Sequence, residues 1–170
     1  MGEDVGVAIL RMVVCSAELE EKVHELYEKL SAALPHPHSE ALLYIARESR
    51  NHSEFFRAIQ RVLEDVYHTK VDECGSQVYL DYVKKVLEGL REGGALSLEK
   101  VREILERSIS LEAYVGEEYY SMIMSPALAN ILRKYISGSE LVNMWIPILR
   151  KISGDEKHHE MILKLIIKRL

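Results

Sequence analysis

The sequence predicts an all-α protein, built as a four-helix bundle with one long crossover connection. Only 4 prolines and 9 glycines interrupt the 170 residues. Between them, apolar residues recur at spacings of three and four, which is typical of amphipathic helices. The length is that of one ordinary domain, so residues 1–170 are expected to form a single unit. With 48% apolar and 29% charged residues, the chain can bury one sizeable core.

The first half of the chain predicts two long helices joined by a short turn. Helix one is expected from about Val5 to Leu34, where the sequence Pro35-His36-Pro37-His38 ends it. Helix two is expected to begin near Ser39, whose side chain can cap it, and to fade around His68. Their apolar stripes place both helices along a common core.

The second half predicts a long crossover followed by a second pair of helices. The crossover has a turn at Asp72 to Gly75 and a short helix, Val78 to Leu90, which Gly93-Gly94 closes. Ser97 is expected to cap the third long helix, which should end near Ser125. A short helix from Leu128 to Ile136 follows, and Ser137-Gly138-Ser139 opens the last long helix.

Charge and hydropathy exclude two classes of partner. The chain has 22 basic and 27 acidic side chains, for a net charge of −5, and shows no basic stripe. We therefore expect no nucleic-acid partner. The most apolar stretch, Met161 to Leu170, is interrupted by three basic residues. No run reaches the roughly 20 apolar residues that a membrane helix needs, so no membrane association is expected.

The N-terminal sequence and the cysteines predict a cytoplasmic protein. Glu3 and Asp4 stand where a secretory signal would have basic residues, and no small-residue cleavage site follows. Cys15 and Cys74 form neither a CxxC motif nor a disulfide framework, so both are expected to be free thiols.

Two glutamates share a spacing with a tyrosine. Glu20 precedes Tyr27 by seven residues in helix one, and Glu112 precedes Tyr119 by seven residues in helix three. Seven residues make two helical turns, so each glutamate lies above its tyrosine on one flank of the helix. Each carboxylate can lean into the core, or it can lie at the surface with its aliphatic stem over apolar neighbours.

Histidines on helices two and four lie on the apolar stripes. Glu156 precedes His159 by three residues, so a carboxylate oxygen and an imidazole nitrogen can converge on one metal ion. At the equivalent place in helix two, Ser49 stands three residues before His52, and Glu48 stands four before it. If Glu48 turns inward, each half supplies three candidate ligands; if it faces solvent, one metal at most is expected.

These residues resemble the ferritin-like superfamily, and its rubrerythrin-type di-iron proteins most closely. The family has one glutamate on each of helices one and three and a Glu-x-x-His on each of helices two and four. The resemblance spans nearly the whole chain, and Ser49 is the departure, since it stands where the family has a ligand. The resemblance implies a ferritin-like up-down four-helix bundle with the metal ligands Glu20, Glu48, His52, Glu112, Glu156 and His159.

The resemblance also implies roles for tyrosines near the metals. Tyr27 and Tyr119 would be the catalytic side chains, hydrogen-bonding a ligand or supplying an electron. Tyr114 and Tyr120 are alternative inward-facing tyrosines.

The family's activities imply a di-iron oxidoreductase that acts on peroxide, oxygen or Fe(II). A complete site would hold two iron ions, and manganese or zinc would also fit. Electrons would come from an external donor, because the sequence has no CxxC pair. The alternative is a non-catalytic bundle whose site is degenerate or mononuclear and whose role is structural or partner-binding. A homodimer is also expected, with Trp145, Ile146 and Ile148 contributing to its contact.

Overall fold

The computed structural model describes residues 5–92, 96–115, 120, 125–135 and 139–170. These residues form six helices and no strand, which confirms the all-α class. None of the helices is both long enough and apolar enough to cross a membrane. The helices are α1 Val5–Ser31, α2 His38–Tyr67, α3 Val78–Glu92, α4 Leu98–Ala113, α5 Ser125–Tyr135 and α6 Ser139–Arg169.

Of the two predicted helix caps, one is confirmed and the other is wrong. Ser97 caps α4 as expected, since its hydroxyl accepts a hydrogen bond of 3.2 Å from the Lys100 backbone N–H. The predicted cap at Ser39 is wrong. The helix begins one residue earlier, with Pro37 in the cap position, and the Ser39 hydroxyl instead donates to the Glu40 carboxylate at 2.8 Å.

The helices pack as two pairs, in agreement with the predicted hairpins. The most extensive packing joins α1 to α2, and α4 packs on α6. Contacts between α2 and α6 hold the pairs together, while α3, within the crossover, lies against α1. The core between the pairs is apolar, and its largest fully buried side chains include Tyr27, Tyr120 and Phe56.

The prediction of two free cysteines is wrong. Cys15 on α1 and Cys74, in the connection between α2 and α3, form a disulfide bond. They are 59 residues apart in sequence and meet because the crossover returns along α1, so no local spacing could reveal the pair. Disulfides are rare in reducing cytosol. The bond therefore gives no support to the cytoplasmic location, which stays a prediction.

Trp145 is not available for the expected dimer contact. Its side chain is buried and its indole lies edge-on to the Phe55 ring, with ring centroids 6.1 Å apart. The residue therefore joins α6 to α2 inside one chain. Of its expected partners in the contact, Ile146 is half-buried and Ile148 is exposed.

Candidate metal centre

Both glutamates predicted on helices one and three lie inside the core. Glu20 on α1 is 2% exposed and Glu112 on α4 is 1% exposed, so the surface alternative is wrong for both. Leu19 and Val23 on α1 and Leu111 on α4 line the space beside these carboxylates. Such surroundings exclude most water, so each carboxylate needs a partner within the protein or a bound cation.

Each glutamate accepts a hydrogen bond from a tyrosine on the opposite helix. The Tyr27 hydroxyl, on α1, donates to Glu112 Oε1. The Tyr120 hydroxyl, which follows α4, donates to Glu20 Oε1 at 2.7 Å. The spacing of seven residues predicted tyrosines near the glutamates, but it paired each glutamate with the tyrosine of its own helix. The pairs instead cross between the two halves of the bundle.

Tyr119 lies outside the described residues, and Tyr120 is the tyrosine that reaches Glu20. Tyr114, Val115 and Tyr120 have the π-helical conformation, whose i→i+5 hydrogen bonds make a wider turn than an α-helix. Tyr120 lies eight positions after Glu112, rather than the seven positions of the predicted Tyr119. The sequence holds both tyrosines but no local signal that distinguishes them.

Glu20, His52 and Glu156 form one buried group. His52 Nδ1, on α2, lies 3.1 Å from Glu156 Oε1 on α6 and 3.7 Å from Glu20 Oε2 on α1. Their ligand atoms all lie within 4.8 Å of one another. Within the described part of the chain, neither His52 Nδ1 nor Glu156 Oε1 has a hydrogen-bond partner, although both atoms are buried.

Glu112, Glu156 and His159 form a second buried group. His159 Nδ1 lies 3.4 Å from Glu112 Oε2 and 3.5 Å from Glu156 Oε2. Glu156 thus belongs to both groups, with Oε1 toward His52 and Oε2 toward His159. This is the position of a carboxylate that can bridge two cations.

The outer nitrogen of each histidine faces a carboxylate on the other histidine's helix. His159 Nε2, on α6, lies 3.1 Å from Glu48 Oε2 on α2. His52 Nε2, on α2, lies 3.4 Å from Asp155 Oδ2 on α6. Both carboxylates precede the histidine of their own helix by four residues, so the arrangement repeats across the two halves. Such contacts orient a histidine whose inner nitrogen binds metal.

Of the two alternatives for Glu48, inward or facing solvent, the structure shows the inward one. Its carboxylate lies behind His159, however, and outside both groups. Asp155 was missed by the sequence analysis, although it shares with Glu48 the position four residues before a histidine. Ser49, the counterpart of Glu156, is fully buried, and its hydroxyl has no hydrogen-bond partner among the described residues.

The carboxylates hold protons on the histidines when no metal is bound. Burial lowers the pKa of His52, but Asp155, Glu156 and Glu20 outweigh burial and raise that pKa to about 12. Burial likewise opposes protonation of His159, yet the carboxylates of Glu112 and Glu156 raise its pKa to about 11. The two imidazolium charges thus take the place that cations would have in this acidic cluster.

The pKa values of the buried carboxylates shift in different directions. Burial, with the negative charge of Glu156 beside it, raises the pKa of Glu112 to about 8. Burial and the charge of Glu20 act in the same direction on Glu156, but contacts with Glu112, His159 and His52 hold the pKa of Glu156 below its usual range. Burial, followed by the charge of Glu112, raises the pKa of Tyr27, so its hydroxyl stays a hydrogen-bond donor.

Comparisons of this chain with known protein families, with curated proteins and with solved structures found no match. The resemblance to ferritin-like proteins therefore stays a prediction from the sequence.

Proposed function

We propose that this protein is a ferritin-like bundle that binds two transition-metal ions between α1, α2, α4 and α6. The observation that carries the proposal is the pair formed by His52 Nδ1 and Glu156 Oε1. The two atoms are buried 3.1 Å apart as an ion pair, and neither is aligned for a hydrogen bond with any residue that the structure describes. Buried polar atoms are almost always satisfied, so a shared partner between them is the simplest completion of the site.

Glu20, His52 and Glu156 would hold one ion, and Glu112, Glu156 and His159 the other. Glu156 would contribute to both positions, because its Oε1 faces His52 and its Oε2 faces His159. Carboxylate oxygens with one imidazole nitrogen per ion suit iron, manganese and zinc. Iron is the metal we propose, because several carboxylates stabilise its oxidised form.

We further propose that the loaded protein is an oxidoreductase for peroxide, oxygen or Fe(II). A pair of bound ferrous ions would supply the two electrons that, with two protons, reduce one hydrogen peroxide molecule to two waters, and an external electron donor would return those two electrons. Tyr27 and Tyr120 hold the outer oxygens of Glu112 and Glu20, which leaves the other oxygen of each glutamate free to face the cluster. Glu48 and Asp155 fix the rings of His159 and His52.

A specific observation favours a second candidate, a non-catalytic bundle with a degenerate or mononuclear site. Ser49 supplies no carboxylate, and Glu48 lies behind His159 rather than in either group. Each ion would therefore have three protein ligands, one of which is shared. On this alternative the chain binds one ion or none and serves through contacts with a partner.

Metal content after anaerobic loading with Fe(II) separates the candidates. We expect about two irons per chain in the native protein and a clear loss in Glu156→Gln, which keeps the shape of the side chain but removes its charge. Glu160→Gln is the matched control, since Glu160 lies one turn further along α6 and pairs with Lys164 outside both groups. One iron or none in the native protein would contradict the two-ion proposal. A protein with two irons could consume neither added hydrogen peroxide under anaerobic conditions nor oxygen in aerated buffer. That result would contradict the oxidoreductase proposal alone.

A further inference from the structure

A cleft of about 600 Å³ lies between α3 and α4, apart from the candidate metal centre. Its volume is in the range of small-molecule sites. One face of α3 and one face of α4 form the walls, and the apolar part of the lining includes Val86, Leu90, Leu96 and Ile104. Ile104 is buried at the base, whereas the other three are half-buried and their side chains line the opening.

The charged residues of this cleft leave a net positive rim. Among the lining residues that the structure describes, Lys85, Lys100 and Arg107 occur with a single acidic residue, Glu103. Glu103 is paired with both Lys100, at 2.8 Å, and Arg107, at 3.2 Å. Lys85, opposite them on α3, makes no ion pair with any residue that the structure describes. An anion can therefore bind here without displacing an ion pair of Lys85.

A further polar atom in the lining lacks a partner. The hydroxyl oxygen of Tyr82 is buried and has no well-aligned hydrogen-bond partner within the described ranges, although Arg107 lies close enough to lower the pKa of that hydroxyl against the effect of burial. Unsatisfied buried hydroxyls are uncommon, because leaving one unpaired is costly. A ligand with an oxygen at this end of the cleft would satisfy Tyr82.

Gly89 opens the middle of the cleft. It belongs to the lining, and a Cβ added at this position would meet no atom within 4 Å. A glycine inside a helix lowers its stability, so the open space comes at a cost to α3.

We propose that the cleft between α3 and α4 is a binding site for a small amphipathic anion, a carboxylate on an unbranched apolar chain. The carboxylate lies between Lys85 and Arg107 and accepts the Tyr82 hydroxyl hydrogen bond. The apolar chain lies over Gly89 between Leu90 and Ile104. The site is independent of the metal centre, because the cleft shares no lining residue with it.

Octanoate tests this site, with acetate and 1-octanol as probes that lack the chain and the charge respectively. By titration calorimetry we expect octanoate to bind saturably and at least about tenfold more tightly than either probe, because a hydrogen bond to a charged group and the buried chain each contribute. Equal affinity for octanoate and 1-octanol would overturn the proposed anion recognition, and the absence of saturable octanoate binding would overturn the site.

Variants of the full chain locate the ligand. Gly89→Leu fills the open space without a clash at Cβ and should abolish octanoate binding. The unfolding midpoint of this variant should stay at or above that of the native protein. Lys85→Glu should weaken octanoate binding by about tenfold or more. Lys70→Glu, at an exposed lysine outside the lining, is the matched charge control and should leave the affinity for octanoate unchanged.

A last comparison keeps the cleft separate from the metal centre. Carboxylates also bind metal ions, so octanoate affinity is measured in Glu156→Gln as well and should equal that of the native protein. Binding that survives Gly89→Leu, or that disappears in Glu156→Gln, would overturn the assignment to this cleft.

Discussion

Glu156 and His52 form a buried ion pair in the centre of the protein: Glu156 Oε1 lies 3.1 Å from His52 Nδ1, although the two atoms are not aligned for a hydrogen bond. Without a metal ion the pair is held by charge, because the neighbouring carboxylates keep a proton on His52. The other oxygen of Glu156 approaches His159. A carboxylate placed between two histidines in this way is suited to two cations, and the predictions below follow from that placement.

Ser49→Glu should change the metal-free and the metal-bound protein in opposite directions. Ser49 is the counterpart of Glu156 and is fully buried, so a carboxylate there adds an uncompensated charge to the metal-free core. We expect the free energy of unfolding without metal to fall by roughly 3 kcal/mol. We expect Zn(II) affinity to rise about tenfold or more, since even outer contacts of a metal site change affinity that much.

Denaturant unfolding with and without Zn(II) measures both effects. Ser49→Gln, which is similar in size but neutral, serves as the control and should lower stability without the gain in affinity. A Ser49→Glu protein that binds Zn(II) no better than Ser49→Gln would show that position 49 does not face the metals.

Tyr27→Phe should weaken the site through Glu112. The substitution removes the hydroxyl that donates to Glu112 Oε1 and leaves that oxygen buried without its donor. We expect a loss of about 1–3 kcal/mol in unfolding free energy and of about 10–100-fold in metal affinity. Tyr120→Phe should have the corresponding effect through Glu20. Tyr79→Phe, at a half-buried tyrosine that stacks on Tyr114, is the control, and an equal loss of metal affinity there would contradict this explanation.

Metal binding should release protons and become tighter as pH rises. With pKa values of about 12 and 11, His52 and His159 both carry a proton at neutral pH, and each must lose it to offer a nitrogen to a metal ion. Glu112, with a pKa of about 8, adds a further partial proton. Calorimetric titration with Zn(II) at pH 7, in buffers of different ionisation enthalpy, should give about two protons released or more. Release of no protons would contradict this arrangement of charges.

The stability of the metal-free protein should change with pH in the opposite direction. A raised pKa stabilises the folded state below the unfolded-state pKa and loses that contribution as pH rises through the folded-state value. For Glu112 the loss runs from 4.5 to about 8, and for the histidines it begins at 6.5 and continues to 11–12. We therefore expect unfolding free energy to fall from pH 6 to pH 9 without metal, so that the gain on adding Zn(II) grows. Denaturant curves at several pH values measure this, and a flat profile would contradict it.

The disulfide should stabilise the chain without taking part in metal binding. It closes a loop with a sequence separation of 59 residues, for which restricted freedom of the unfolded chain predicts roughly 4 kcal/mol. We expect the double variant Cys15→Ser, Cys74→Ser to lose up to that amount in denaturant unfolding and to keep its metal stoichiometry. A reducing agent should have the same effect on the native protein and none on the variant.

Helical periodicity predicted much of the site because it fixes which residues share a helix face. Spacing placed Glu156 and His159 on an apolar stripe and Glu20 and Glu112 on helix flanks from which each could turn inward or lie at the surface, and all four are buried. It could not show which helices meet at which height. The contact between His52 and Asp155 and the disulfide therefore appear only in the fold.

Local conformation set a second limit to the sequence prediction. Tyr120 reaches Glu20, whereas the spacing that selected Tyr119 assumes the constant turn of an α-helix, and Tyr114, Val115 and Tyr120 are π-helical. Glu48 shows a third limit. Its position four residues before His52 left open whether the carboxylate turns inward or faces solvent, and in the fold the carboxylate contacts the histidine of the other helix.

Anomalous diffraction from crystals of the full chain grown with Fe(II) under anaerobic conditions tests the central claim most directly. We predict two peaks per chain, about 3.5–4 Å apart, as in other two-metal sites. One peak should lie among Glu20, His52 and Glu156 and the other among Glu112, Glu156 and His159. A single peak, or iron bound only at the surface with His52 and Glu156 still facing each other, would contradict the account.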